Sequence, residues 1–478
     1  MPRVTLSRHR LFCLTLPALC LLLLPLFTGC SKDLGKPIGN SPPETGVFVE
    51  GPLDTVSYAV KLYWWGQDRD GQVLGFYYRW TCSDPAADLD TSWVFTAAKS
   101  KNFILPVPNS FAVQTFWVKA VDNSGEEDPT PAIQEFPVRN AMPSVVLQAS
   151  ALPDTTLPAV TFRWTGSDPD GNNTLAYYVA WLDGKEDNPL IIAGSDTTLG
   201  PDYLDTYGPR TFYLKAVDES QGASGTVSHS WHVIAPVGNV LLVDDVPPSV
   251  PGSSTTDAFY RGLLDSLIPS QQYTVFNLAS QGSFRSPAEV SLILPLFTRV
   301  VWYGDTRSSV SGALAMGEVG ISRFLDAGGN MYLEGVAVLG NNGSLSNSFA
   351  GRYLGVDSLR TRYISPSVPA STNFDLTIGW LIRGNTSLGL DSLVVGGILA
   401  GCEIVCPSSV AQGGVFYLPP GTFAGQTADY YLGVLAKARG EARGDTTICL
   451  TFPVRRCNGL GNARQEVAKL LTMLGIGP

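Results

Sequence analysis

Apolar residues are distributed in three distinct textures along the chain. The first is a nearly unbroken run from Leu11 to Phe27, preceded by Arg3, Arg8 and Arg10 and followed by Thr28-Gly29-Cys30-Ser31. The second has period two: Val60, Leu62 and Trp64 alternate with polar neighbours, as do Val160, Phe162 and Trp164, which predicts half-buried strands. Aromatic strands are predicted at Phe76–Trp80 and Ala176–Trp181, each after an Asp-x-Asp-Gly turn. The third texture begins at Gly238, where short apolar runs alternate with helical periodicity. Strands are predicted at 239–245, 272–276, 299–305, 330–335 and 447–453. Helices are predicted at Asp257–Leu267, Ala313–Asp326 and Asn462–Leu474, with Gly328-Gly329 supplying a left-handed stop to the second. Strands alternating with helices predict a parallel α/β sheet.

The middle texture is an internal repeat. Trp64-Trp65-Gly66-Gln67-Asp68-Arg69-Asp70-Gly71 recurs as Trp164-Thr165-Gly166-Ser167-Asp168-Pro169-Asp170-Gly171, 100 residues on. Phe116-Trp117-Val118-Lys119-Ala120-Val121-Asp122 recurs as Phe212-Tyr213-Leu214-Lys215-Ala216-Val217-Asp218, 96 residues on. Each copy has the length of an immunoglobulin-type sandwich. The tryptophan strand and the aromatic-x-(Val/Leu)-Lys-Ala-x-Asp strand together resemble fibronectin type III-like domains of bacterial surface proteins. That resemblance implies fold and says little of function. Asp68, Asp70 and Gly71, like Asp168, Asp170 and Gly171, are read as capped tight turns. A calcium loop would need further carboxylates, and the bidentate glutamate of an EF-hand is not at the required spacing.

The fold class expected is therefore two all-β immunoglobulin-like sandwiches followed by a flavodoxin-like α/β parallel-sheet domain. The boundaries expected are residues 1–29 for a signal peptide, 30–45 for a Gly/Pro/Ser-rich tether, 46–142 and 143–236 for the sandwiches, and 237–478 for the α/β domain.

A basic head, an apolar middle and small residues before a break describe a secretory signal. Leu26-Phe27-Thr28-Gly29-Cys30 resembles the lipobox of bacterial lipoproteins, with Phe27 where that family prefers leucine. The resemblance implies diacylation of the Cys30 thiol, and Ser31 implies sorting to the outer membrane. The alternative is an uncleaved span, but Pro17 and Pro25 interrupt a run at the lower limit for crossing a bilayer. The membrane partner expected is thus a lipid on Cys30.

Composition narrows the remaining classes. Hydrophobic content of 44% with 15% charged residues describes a chain able to bury cores. A net charge of −10 without a basic stripe argues against nucleic acid. Cys402, Cys406, Cys449 and Cys457 all fall in the last domain, where export would allow one or two disulfides or plain buried thiols. Zinc is disfavoured because no CxxC spacing and no nearby histidine accompanies them.

The last domain resembles the class I glutamine amidotransferase-like fold in its divergent secreted form. The matching pieces are Val240-Leu241-Leu242-Val243-Asp244-Asp245, Val301-Trp302-Tyr303-Gly304-Asp305, Phe324-Leu325-Asp326-Ala327-Gly328-Gly329-Asn330 and Phe452-Pro453. Active members carry a cysteine at a strand-to-helix elbow, helped by histidine and glutamate. Here the elbow would be Glu334-Gly335-Val336-Ala337-Val338, with no cysteine or serine, and His9, His229 and His232 all lie outside the domain. A cysteine nucleophile needs a base or another means of lowering its pKa. No catalytic triad, cofactor or metal site is therefore expected. Asp244, Asp245, Asp305 and Glu334 fall at predicted strand ends, where open α/β sheets bind ligands. They are candidate crevice ligands, or else caps for helix N-termini. The functional expectation is a non-catalytic lipoprotein that binds or scaffolds a protein or glycan ligand. The alternatives are a hydrolase using the carboxylates, or an accessory subunit of an envelope or secretion assembly.

Overall fold

The computed structural model describes residues 39–49, 58–149, 152–171, 174–270, 272–281, 283–304, 312–336, 338–339, 345–360, 373–422, 427–437, 445–458 and 462–478. Cys30 and Asp305 lie outside the described residues.

The first repeat forms β1 (Glu44–Val49), β2 (Ala59–Gln67), β3 (Val73–Cys82), β4 (Val94–Thr96), β5 (Ser100–Ile104), β6 (Phe111–Asp122) and β7 (Ala132–Arg139). They pair as two sheets, β1-β2-β5 and β4-β3-β6-β7. The alternation expected from sequence holds: Leu62, Trp64, Phe76, Phe116 and Phe136 fill the space between the sheets. The second repeat forms β8 (Ser144–Leu147), β9 (Thr155–Thr156), β10 (Val160–Ser167), β11 (Leu175–Leu182), β12 (Leu190–Ile192), β13 (Asp196–Leu199), β14 (Gly208–Asp218) and β15 (Val227–Val233). Its sheets are β13-β10-β8 and β12-β11-β14-β15-β9, the same plan with one added short strand. Phe162, Trp164, Phe212 and Trp231 make its core. Both are antiparallel β-sandwiches, apart from the parallel pairing of β9 with β15.

The repeat reaches further upstream than its motifs suggest. The Asn40 side chain donates to Asp122, and the Ser41 N–H to Asp70 Oδ2 at 3.1 Å. One repeat later, Asn140 donates to Asp218 Oδ2 at 2.7 Å and the Ala141 N–H to Asp170 Oδ2 at 2.8 Å. Each sandwich is therefore entered through the same clamp, and the segment expected to be free tether is docked from Asn40 onward. The first aspartate of each turn accepts the N–H two residues on, Asp70 N–H to Asp68 and Asp170 N–H to Asp168, as the turn reading expects.

The C-terminal region contains β16 (Val240–Asp244), α1 (Ser253–Leu267), β17 (Thr274–Asn277), α2 (Pro287–Ile293), β18 (Arg299–Tyr303), α3 (Ala313–Asp326) and β19 (Asn330–Glu334). Strands β17-β16-β18-β19 and Thr446–Leu450 lie side by side and parallel, with Leu242, Val301, Tyr332 and Ile448 in register. Gly433–Lys437 and Ala411–Gly414 then extend the sheet antiparallel. Side chains alternate across it. Val240, Leu242 and Tyr332 face α1 and the closing helix Ala463–Met473, while Leu241, Val243 and Trp302 face α2 and α3. The helix Ala313–Asp326 has the bounds expected, and Gly328 takes φ 90° just beyond it.

An all-parallel sheet with regularly alternating helices is not what forms. Besides the two antiparallel strands, a second seven-stranded sheet runs from Val356–Leu359 at one edge to Cys457–Asn458 at the other, with Ile382, Leu393 and Phe416 packed into the core under α1. Its strands are two to four residues long, too short to show a period.

Sandwich two is joined to this region by the outer face of β10. Ser286 caps α2 and Glu289 lies three residues on, the pattern of a capping box. Here the glutamate serves two elements, accepting from the Arg285 N–H at 2.6 Å and from the Thr161 N–H of β10. Thr161 Oγ1 meets Ser286 Oγ at 2.6 Å, and Arg163 Nη2 donates to the Arg285 carbonyl at 2.6 Å. Glu289 is 1% exposed. Burial raises its carboxyl pKa, opposed by the Arg285 N–H, the Arg285 charge and Thr161.

Candidate functional site

The carboxyl ends of β16 and β17 and the start of α1 enclose a cleft of about 240 Å³. Asp244, Val246, Ser253, Asp257, Asn277 and Ser280 contribute to its walls. It lies where an open α/β sheet is expected to hold a ligand. Asp244 ends its strand with the carboxylate turned toward α1. Oδ1 accepts the Val246 N–H at 3.0 Å, and Oδ2 accepts the Asn277 amide at 2.6 Å. Burial raises the Asp244 pKa and the Asp257 charge adds to it, opposed by the Val246 N–H, the Tyr303 hydroxyl and Asn277. Asp257, one turn into α1, is held by Arg261 at 2.6 Å and accepts from the Tyr303 hydroxyl at 3.4 Å. Two carboxylates thus share one phenol, and serine hydroxyls contribute to the same cleft.

The three candidate carboxylates among the described residues, Asp244, Asp245 and Glu334, do not converge. Asp245 turns to the other face of the sheet, where the buried Trp302 indole N–H donates to Oδ2 at 3.1 Å. Glu334 stays on the α1 face but is sealed in the core at 1% exposure, accepting from the Tyr260 and Tyr332 hydroxyls and from the Val454 N–H at 3.2 Å. Burial, and then the Glu334 charge, raise both phenol pKa values well above the ordinary. Period-two alternation separates adjacent Asp244 and Asp245 onto opposite faces. Of these three, Asp244 alone opens to the cleft. Its partners Asp257, Asn277 and Tyr303 were missed by sequence reasoning; the one available signal was that Asp257 opens an amphipathic helix directly after a strand end.

The four cysteines are free thiols, so the disulfides that their spacing allows are not formed. Cys449 faces the α2–α3 core while Cys402 and Cys457 face the α1 core, so the sheet stands between them. Cys406 is half-buried. Burial pushes the Cys402 and Cys449 thiols up, and the Cys457 thiol up to about 12. A thiol raised in this way is a poor source of thiolate. At the elbow position, the Gly335 N–H donates to the Leu450 carbonyl at 3.1 Å.

A second recess lies on sandwich one, where Phe48, Tyr63, Trp64, Trp65 and Lys99 line about 450 Å³ on the outer side of β1 and β2.

No family model and no curated protein matches the chain by sequence. Among solved structures it is similar to fibronectin(III)-like modules of Clostridium thermocellum CbhA. That alignment has 15% identity and a TM-score of 0.20, covering 39% of this chain and 94% of that one. It is also similar to the chicken CNTN1 FN1-FN3 domains, at 16% identity and a TM-score of 0.18 over 44% of this chain and 70% of that one. The two sandwiches rest on the strand pairing above, not on these alignments. Among the described residues, no helix is long and apolar enough to cross a membrane.

Proposed function

We propose that this chain is a bacterial lipoprotein, exported and held at the outer membrane through a lipid on Cys30, whose role is to bind or scaffold a protein or glycan ligand without turnover. The tandem fibronectin type III-like β-sandwiches support the binding role. The last domain is read as a flavodoxin-like, degenerate glutamine amidotransferase-like fold. The parallel order β17-β16-β18-β19 with helices on both faces supports that reading.

One observation carries the non-catalytic reading. The strand-end cleft presents carboxylates and hydroxyls and no thiol, while the Cys449 and Cys457 thiols are buried with raised pKa values and residues 237–478 contain no histidine. Nucleophilic acyl transfer needs an activated nucleophile with a base in reach. The test has two arms. Radiolabelled palmitate should enter the wild type expressed in a Gram-negative host and not Cys30→Ala; equal labelling removes the anchor. Purified protein should release no product from ester, amide or glycoside reporters; turnover abolished by a cysteine substitution in the last domain would end the non-catalytic reading.

The alternative is a hydrolase working through Asp244 and Asp257, favoured by a carboxyl with raised proton affinity beside a second carboxylate. Turnover lost in both Asp244→Asn and Asp257→Asn would install that reading instead.

A further inference from the structure

The two sandwiches use the same sheet face differently. In sandwich two, the outer side of β10 presents Thr161 and Arg163, both engaged by the start of α2. The corresponding positions in sandwich one are Lys61 and Tyr63. What stands there is aromatic. Phe48 on β1 is opposite Tyr63 on β2, their ring centroids 6.4 Å apart, and Gly46 is opposite Trp65. Phe48 is 58% and Trp65 51% exposed, large apolar side chains left in water on one sheet face.

The Trp65 ring is held in place by what its partner lacks. A Cβ built on Gly46 would fall 2.4–2.6 Å from three atoms of the indole, so the ring rests across the bare glycine backbone. A ring in contact with the backbone on one side and half exposed has little conformational freedom left to lose on binding. Tyr63 is flanked by the Lys61 ammonium, 5.0 Å from its ring centroid. Lys99 closes the recess.

We propose that this face of sandwich one is a binding site for a β-1,4-linked glycan. A pyranose with equatorial substituents presents a flat plate of C–H bonds on each face and hydroxyls around its rim. The C–H plate carries partial positive charge and suits the negative face of an aromatic ring, while the Lys99 ammonium suits the hydroxyls. A ribbon of such rings matches a row of aromatic side chains on a flat sheet. The recess has the volume of a small-ligand cleft. The site gives the binding reading of the previous section its ligand class and location, and it is independent of the lipid and of the Asp244 cleft.

The test uses the chain without its signal segment, with chitohexaose and cellohexaose as probes, read by calorimetry and by tryptophan fluorescence. At least one oligosaccharide should bind with a change in tryptophan emission. Trp65→Ala should weaken it about tenfold or more, a loss of about 1.4 kcal/mol or more. Gly46→Val keeps the indole but displaces it, and should weaken binding comparably. Circular dichroism and thermal melting of each variant establish that the sandwich is intact. Asp244→Asn should bind as the wild type does. The proposal is overturned if neither probe binds the wild type, or if both aromatic-face variants bind with unchanged affinity. It is equally overturned if Asp244→Asn alone loses the glycan; that result leaves the binding reading standing and moves its site to the α/β cleft.

Discussion

The two sandwiches are built to one plan and finished differently. Phe116 and Phe212 occupy the same place on β6 and β14 and are both fully buried. Asn40 and Asn140 clamp the corresponding aspartates, Asp122 and Asp218. The outer faces of β2 and β10 diverge: one carries aromatic rings in water, the other is locked to α2 through Glu289. The inward half of each strand is fixed by the need to fill a core, whereas the outward half is free to become a joint or a surface.

Core substitutions should give the largest effects and should be alike in the two copies. Phe116→Ala and Phe212→Ala are each expected to cost about 3–5 kcal/mol in urea unfolding. A large cost in one copy and a small one in the other would break the equivalence of the cores. The joint should respond next, and only in sandwich two. Glu289→Ala strands the Thr161 and Arg285 N–H groups and is expected to cost about 1–3 kcal/mol. The clamp comes third. Asn140→Ala should cost about 1 kcal/mol and expose residues 139–143 to proteolysis, and Asn40→Ala should free the chain before β1 with a smaller effect on stability.

The joint also has a pH signature. The folded pKa of Glu289 lies above its unfolded value, so the folded state binds the proton more tightly. Its contribution is full below the ordinary carboxylate range and is lost as pH rises through the raised folded pKa. Glu289→Gln should therefore flatten the stability–pH curve above the ordinary carboxylate pKa, and a curve unchanged in that window would place the titration elsewhere. The smallest effect is chemical. A thiol reagent applied to the native protein should modify Cys82 and Cys406 while Cys402, Cys449 and Cys457 react only after unfolding. Rapid modification of Cys449 would contradict its burial.

Much of the scaffold was legible because long periodic segments announce themselves. Val60, Leu62 and Trp64, and Val160, Phe162 and Trp164, went inward as alternation required. The helix from Ala313 to Asp326 ended at its glycines. The short strands between Val356 and Asn458 left no such mark, and the second sheet they form was invisible. The crevice was half legible. Strand ends gave Asp244, but adjacency in sequence misled for Asp245, and Glu334 proved to be a core group tied to Tyr260 and Tyr332.

The sequence by itself determined the repeat, the inward face of each sandwich strand and the strand–helix order that begins at Gly238, because these depend on local period and on side-chain volume. Only the tertiary structure decided that Glu289 would be shared between a helix cap and a neighbouring strand, that Asp257 would join Asp244 at one phenol, and that Trp65 would rest on Gly46. Each of these is a meeting of residues distant in the chain or across a strand pair, and no local pattern encodes which side chains the packed backbones bring into reach.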